Sequence, residues 1–121
     1  MSMSNQIMRI AVATREGQAV SEHFGHAKYF YIYDVTVSSC EHLEKREVAH
    51  YCLGGHSDQS ALIGIFEAIK DCSAVFVAKI GDGPIEKLKA RGIEAVADYA
   101  WQSIDESLRD YVSDLIQQDK T

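Results

Sequence analysis

The chain has 121 residues, 46% hydrophobic and 25% charged, with eight glycines, one proline and a formal net charge of −6. That is the make-up of one globular domain with an ordinary core, and it excludes a disordered or collagen-like chain. With no basic stripe to neutralise phosphates, and no apolar run of the ~20 residues that a bilayer requires, nucleic-acid binding and membrane spanning are set aside.

Three cysteines, at positions 40, 52 and 72, are an odd and scattered set rather than a disulfide framework. A reducing, cytoplasmic setting is therefore expected, in which a thiol stays available. The opening MSMSNQIM has no basic region followed by an apolar stretch, so it does not read as a secretion signal. Residues 1–7 are expected to be a disordered lead-in to a single domain over 8–118. Charge is uneven: residues 98–121 hold six acids against Arg109 and Lys120, whereas residues 1–28 come to +1.

MRIAVAT (8–14) is a short apolar run that suits a buried central strand. A polar loop follows, and KYFYIYDV (28–35) is dense in aromatic and β-branched residues that favour a pleated surface. Alternation puts Tyr29, Tyr31 and Tyr33 on one face of that strand and Phe30 and Ile32 on the other. After a turn near Val37–Ser39, the charged alternation of CEHLEKREVAHY reads as an exposed edge strand. The period then changes. Ala61, Leu62, Ile65, Phe66 and Ile69 form one face of a helix beginning at Ser57 or Asp58 and running to Lys70. SAVFVAKI (73–80) is a buried strand. GDGPIEKLKARG is a helix with Pro84 in its first turn and Gly92 as its stop, and IEAVA (93–97) is a short strand. Ser103 with Glu106 makes a capping-box pattern, opening a helix through Gln118 whose stripe is Ile104, Leu108, Tyr111, Val112 and Leu115. The order βββαβαβα means an α/β fold with a mixed five-stranded sheet in three layers.

Two short glycine-bearing stretches hold the residues that carry chemistry. SEHFGHA contains His23, Gly25 and His26; HYCLGGH contains His50, Cys52, Gly54, Gly55 and His56. If the first strand is central, the loop after it and the loop before the first helix emerge at one sheet end, where open α/β sheets place ligands. A thiolate from Cys52 with imidazoles from His23, His26 and His50 suits zinc, iron or an iron–sulfur cluster. Gly25, Gly54 and Gly55 would let the backbone approach a bulky ligand and expose its N–H groups. Because imidazole must be deprotonated to ligate, such binding weakens below about pH 6.5. His42 and His56 read as surface residues, and Cys40 and Cys72 as structural ones. MRIAVAT lacks the carboxylates of a two-metal nuclease, the GDGP turn lacks a P-loop's lysine and hydroxyl, and no orienting group completes a Cys/His hydrolase.

RIAVAT, EHFGHAKYFYIYDV, HYCLGG and VAKIGDGPIEKLKARGIEAV together resemble the dinitrogenase iron–molybdenum cofactor biosynthesis family, over about residues 8–116. Within it, the pattern is most similar to the domain that follows the radical enzyme in NifB-type members. The resemblance implies a ribonuclease H-like fold without nuclease activity. It also implies a non-enzymatic carrier or storage role for an iron–sulfur cofactor precursor, with nitrogenase cofactor assembly proteins as partners. By position, His23 and Gly25 fall in the family's H-F-G motif, while His26, His50 and Cys52 match the NifB-type version. One departure is Gly83, where many NifB-type domains carry a cysteine after Gly-Asp. The three-cysteine radical S-adenosylmethionine motif is not in this sequence. Two other classes stay open: a mononuclear zinc or iron protein, and an interaction module that uses the acidic C-terminal helix.

Overall fold

The computed structural model describes residues 7–36, 39–48 and 59–120. Five strands, β1 (Met8–Ala13), β2 (Tyr29–Val35), β3 (Cys40–Glu47), β4 (Ala74–Phe76) and β5 (Glu94–Val96), alternate with α1 (Gln59–Ala68), α2 (Asp82–Ala90) and α3 (Ile104–Lys120) in the expected order. They form one mixed sheet in the order β3-β2-β1-β4-β5. β2 is antiparallel to both β1 and β3, and β4 is parallel to both β1 and β5. Four strands therefore end at the same edge of the sheet, at Ala13, Glu47, Phe76 and Val96, and β2 begins there.

Alternation along the central strands builds two cores. Ala11, Ala13, Phe30, Ile32 and Val75 face Ile65 and Phe66 of α1, Ile69 just after it and Leu88 of α2. Ile10, Val12, Val35 and Phe76 face Ile104, Leu108 and Val112 of α3. The sheet is thus covered on both sides, and full burial of each large apolar side chain contributes about 1.5–3 kcal/mol. The stop of α2 is the one the sequence signals, whereas α1 ends at Ala68, before Lys70, and α3 runs on to Lys120. The N–H of Ile93 donates to Leu88 C=O at 2.9 Å and that of Gly92 to Lys89 C=O at 3.0 Å, with Gly92 at φ +78°, which closes α2 as a Schellman turn. At α3 the Glu106 N–H reaches Ser103 Oγ at 3.5 Å.

β3 lies at the sheet edge, as its charge pattern predicts. Its register jumps from Ile32↔Glu44 to Tyr33↔His42, leaving Leu43 as the extra residue of a bulge. A bulged, charged edge discourages pairing with another chain. β4 is shorter than SAVFVAKI suggests. The regular strand ends at Phe76; the Val77 N–H still meets Val96 C=O at 3.0 Å, and the Ala78 N–H then bonds Glu22 C=O at 2.9 Å instead. The turn before α3 holds Trp101 at φ +69°, 65% exposed, with its N–H donating to Val20 C=O at 2.7 Å.

The C-terminal end of α1 is tied to the strands by charge. Arg9 on β1 grips Asp34 with Nε at 2.9 Å and Nη2 at 3.2 Å, and reaches Asp71 with Nη1 at 3.1 Å. Arg46 on β3 donates to Asp71 Oδ1 at 2.7 Å and to Ala68 C=O at 2.7 Å. The hydrogen bond from Arg46, against partial burial and with help from Arg9, holds the Asp71 carboxyl well below the usual carboxylate range. The stabilisation is therefore full above the ordinary carboxylate pKa of ~4 and is lost as pH falls through the folded value. Because Asp71 is 41% exposed, solvent screening limits its worth. Asp71→Asn should cost about 1 kcal/mol at neutral pH in denaturant titration. The gap to wild type should close as pH falls below ~4; a gap that widened would contradict the assignment.

Two thiols are structural. Burial, with Asp105 nearby, pushes the Cys40 thiol up to about 11. Burial, with Asp71 alongside, pushes Cys72 up to about 12. Both are protonated at neutral pH. In the native protein at pH 8, iodoacetamide should label Cys40 and Cys72 on the order of a hundredfold more slowly than a free thiol. Mass spectrometry of the native and denatured chain checks this, with denaturation removing the protection.

Candidate functional site

The site is built at the sheet edge where β1 and β4 end side by side. There the chain turns one way, from β1 toward β2, and the other way, from β4 through α2 to β5. This is the crevice in which open α/β sheets hold ligands. The loop from β1 returns across it: the Ser21 and Glu22 N–H groups both point to Ala13 C=O at 3.2 Å. Glu22 C=O then accepts from Ala78, and the Phe24 N–H donates to Lys79 C=O at 2.9 Å, so His23 lies beside Lys79 as in a parallel bridge.

Phe24 is the anchor of this return. It is 1% exposed, with its ring centroid 6.3 Å from Phe30 and 6.2 Å from Phe66. Burying that ring is worth on the order of 2–3 kcal/mol, enough to fix the short 3-10 turn Phe24–His26 against the core. Its neighbours in the motif, His23 and Gly25, are left exposed. In His-Phe-Gly the phenylalanine therefore holds the loop while its neighbours face outward.

His23, Phe24 and Gly25 line one wall of a hollow of about 300 Å³; Lys79, Ile80, Gly81 and Pro84 line the other. That second wall is the start of α2, whose first turn begins after Gly81 in extended conformation, with no side-chain cap. Its first amide groups and the positive end of the helix dipole favour negative charge, part of which Asp82 in the first turn already supplies. A side chain at Gly25 or Gly83 would meet nothing within 4 Å, so glycine there leaves open backbone rather than relieving a clash. The hollow thus combines an imidazole, an ammonium and unblocked backbone.

Polar groups within the loop hold its course. Ser21, buried, accepts the Arg15 N–H at 2.9 Å and donates to Glu16 Oε1 at 3.1 Å, while Glu16 Oε2 accepts the Ala19 N–H at 3.0 Å. Partial burial would raise the Glu16 carboxyl, but the hydrogen bonds from Ala19 and Ser21 outweigh it and bring the group below its ordinary value. Gly17, at φ +86°, passes so close to Tyr31 that a Cβ would sit 2.8 Å from the ring.

Of the site residues expected from sequence, the structure places His23 and Gly25 together on the hollow. His26 falls in the same turn, and its side chain lies outside the described residues. His50, Cys52, Gly54 and Gly55 also lie outside them. Their flank does not: the Val48 N–H donates to Lys28 C=O at 2.8 Å, at the sheet end that carries the hollow. Among the described residues, no three His, Cys, Asp or Glu side chains gather as a metal site. Lys79, Ile80, Gly81 and Pro84 were not expected as lining residues. The signal for them was the glycine-flanked helix start after an apolar strand, weighed from sequence only against a P-loop, whose lysine and hydroxyl it lacks.

A second, larger cleft of about 570 Å³ opens at the β5 side, lined by Ile85 and Lys89 of α2 and Tyr111 and Leu115 of α3, among others. The Tyr111 hydroxyl donates to Glu94 there. Among the described residues no histidine or cysteine lines it. Among the described residues no helix is long and apolar enough to cross a membrane.

Residues 6–114 match the family described as dinitrogenase iron-molybdenum cofactor. The FeMo cofactor biosynthesis protein NifB of Herbaspirillum seropedicae is 42% identical over 108 residues, covering 89% of this chain and 21% of that protein. NifB of Azotobacter vinelandii is 34% identical over 111 residues, covering 89% of this chain and 22% of the relative. The chain thus spans about a fifth of the length of these relatives. Among solved structures, PH0822 superposes with a TM-score of 0.65 at 24% identity, over 88% of this chain and 91% of that one. The apo orange protein of Desulfovibrio gigas gives 0.60 at 18% identity, over 93% and 90%. These two likenesses show that the α/β fold is shared. With a family match over nearly its whole length, the chain belongs to the dinitrogenase iron-molybdenum cofactor family.

Proposed function

We propose that this protein is a carrier, not an enzyme, that holds an anionic iron–sulfur cofactor precursor for assembly of nitrogenase's iron–molybdenum cofactor. The observation that carries the reading is the hollow at the end of β1 and β4, where His23, Lys79 and the amino end of α2 converge. Sulfide-rich clusters bear net negative charge. An ammonium and a helix amino end attract such a ligand, and an imidazole ligates its metal. Family membership, and relatives named as FeMo cofactor biosynthesis proteins, support the same ligand class.

The sheet order, an antiparallel meander feeding two parallel strands, supports reading the fold as ribonuclease H-like. Its first strand, Met8–Ala13, carries no carboxylate, which a two-metal nuclease needs, so the scaffold serves binding. A carrier must retain a cluster yet release it, and few protein ligands serve that end better than a closed cage. His23 supplies one imidazole. Cys52 supplies a thiolate, with His26 and His50 as further candidates. Lys79 and the backbone N–H groups of α2 offset the cluster's charge. The setting is a reducing cytoplasm, and the partners are the proteins that supply and receive the precursor.

A mononuclear zinc or iron site is the second reading, since the same histidines and thiol suit either metal. Lys79 favours the cluster, because an ammonium repels a bare dication and attracts an anion.

Anaerobic loading with an iron–sulfur cofactor precursor, followed by gel filtration and assay of iron and labile sulfide, separates the two. Iron and sulfide should elute together with the wild type and be largely lost from Cys52→Ala and His23→Ala. Lys79→Glu should weaken retention about tenfold through charge alone. Metal without sulfide, unaffected by Lys79→Glu, would replace the carrier reading with the mononuclear one.

A further inference from the structure

His23 reaches the hollow on a loop, residues 14–22, that has no regular secondary structure, yet its polar groups converge on one buried side chain. Ser21 is 6% exposed and Thr14 1% exposed, in a loop where serine and threonine would ordinarily face solvent. The Ser21 hydroxyl accepts the Arg15 N–H at 2.9 Å, lies 3.4 Å from Thr14 Oγ1 and donates to Glu16 Oε1 at 3.1 Å. With that proton committed to Glu16, Thr14 donates to Ser21 and in turn accepts the Gly17 N–H at 2.9 Å. One hydroxyl thus joins the first, second and third residues after β1 to the point where the chain turns back across the sheet end. From there the backbone bonds of Glu22 to Ala78 and of Phe24 to Lys79 fix the residues on either side of His23.

We propose that Ser21 is a positioning residue for the ligand hollow: its hydroxyl sets the path of residues 14–22 and so places His23 beside Lys79. Ser21 does not line the hollow. It acts through the loop, and its effect on cofactor loading rests on the carrier reading above. Removing the hydroxyl strands the buried Thr14 hydroxyl and the part-buried Arg15 N–H, which costs more than the bonds themselves contributed. The loop's cheapest response is to open and let water in, which shifts His23 while Phe24 stays seated in the core.

The test uses the full chain and three variants. Ser21→Ala removes the hub. Glu16→Ala removes its exposed acceptor at little risk to folding. Ser107→Ala is the control, deleting an equally buried hydroxyl that bonds Ser103 C=O at 2.6 Å on α3. In the protein without ligand, amide hydrogen exchange at Ala78 and Phe24 should speed up about tenfold in Ser21→Ala, and the His23 ring resonances should shift. Glu16→Ala should give the same changes at smaller size, and Ser107→Ala neither. Loading with the iron–sulfur precursor should fall about fivefold in Ser21→Ala and remain within twofold of wild type in Ser107→Ala. Unchanged exchange and an unmoved His23 in Ser21→Ala would overturn the positioning role whatever the loading shows. A displaced His23 with undiminished loading would overturn its consequence for the ligand. A wild type that takes up no cluster would defeat the carrier reading, and the exchange data would still decide whether Ser21 places His23.

Discussion

Everything at the ligand end of this fold depends on the burial of one ring. Phe24 fills the space between Phe30 on β2 and Phe66 on α1. From that seat its backbone N–H meets Lys79 C=O. The hydrophobic contact and the hydrogen bond together stitch the loop after β1 to the loop after β4, two segments more than fifty positions apart in sequence. Without the ring the hydrogen bond would compete with water and contribute little; without the bond the ring would leave the loop's heading open. Jointly they set His23 beside Lys79 on the hollow that the start of α2 also lines.

The charge distribution follows the layering. Five of the six acids of the C-terminal quarter lie on α3, where Asp105, Glu106, Asp110 and Asp114 are exposed, and α3 covers the face of the sheet opposite to α1 and α2. The hollow, by contrast, pairs Lys79 with a helix amino end. A chain with a net charge of −6 can therefore keep an anion-attracting site, since screening confines each field to about 8–10 Å at ordinary ionic strength. Rigidity is matched to this division. The arginine–aspartate network around Asp71 braces the far end of α1, and hydroxyl and carboxylate bonds brace the loop of His23. A bound cluster would meet a site already shaped, so less ordering entropy would be lost on binding.

Much of the architecture was legible because it rests on local rules. The apolar stripe of α3, the proline and glycine that bracket α2, the alternation of β2 and the charged edge of β3 each follow from side-chain period or backbone preference. The end of β4 was not legible. Its sequence stays apolar through Ile80, but a strand ends where its partners end, and β5 offers three residues. The chain released after Phe76 is what brings Lys79 to the hollow, so misjudging that strand and missing that residue have one cause. The Thr14–Ser21–Glu16 cluster was hidden for a different reason. Polar residues in a loop carry no periodicity, and only the tertiary path shows that two of them are buried. His23 and Gly25, singled out from their motif, both line the hollow. His50, Cys52, Gly54 and Gly55 lie outside the described residues.

The most direct test of the central claim, that the hollow beside His23 is where the cofactor precursor sits, is to map a paramagnetic cluster by nuclear magnetic resonance. Isotope-labelled protein would be loaded anaerobically, and the loss of amide signals compared along the chain. Broadening should centre on residues 23–25 and 79–84, with the strands of the far sheet end and most of α3 retaining sharp lines. Broadening centred instead on the β5 cleft, around Ile85, Tyr111 and Leu115, would place the ligand elsewhere and contradict the account.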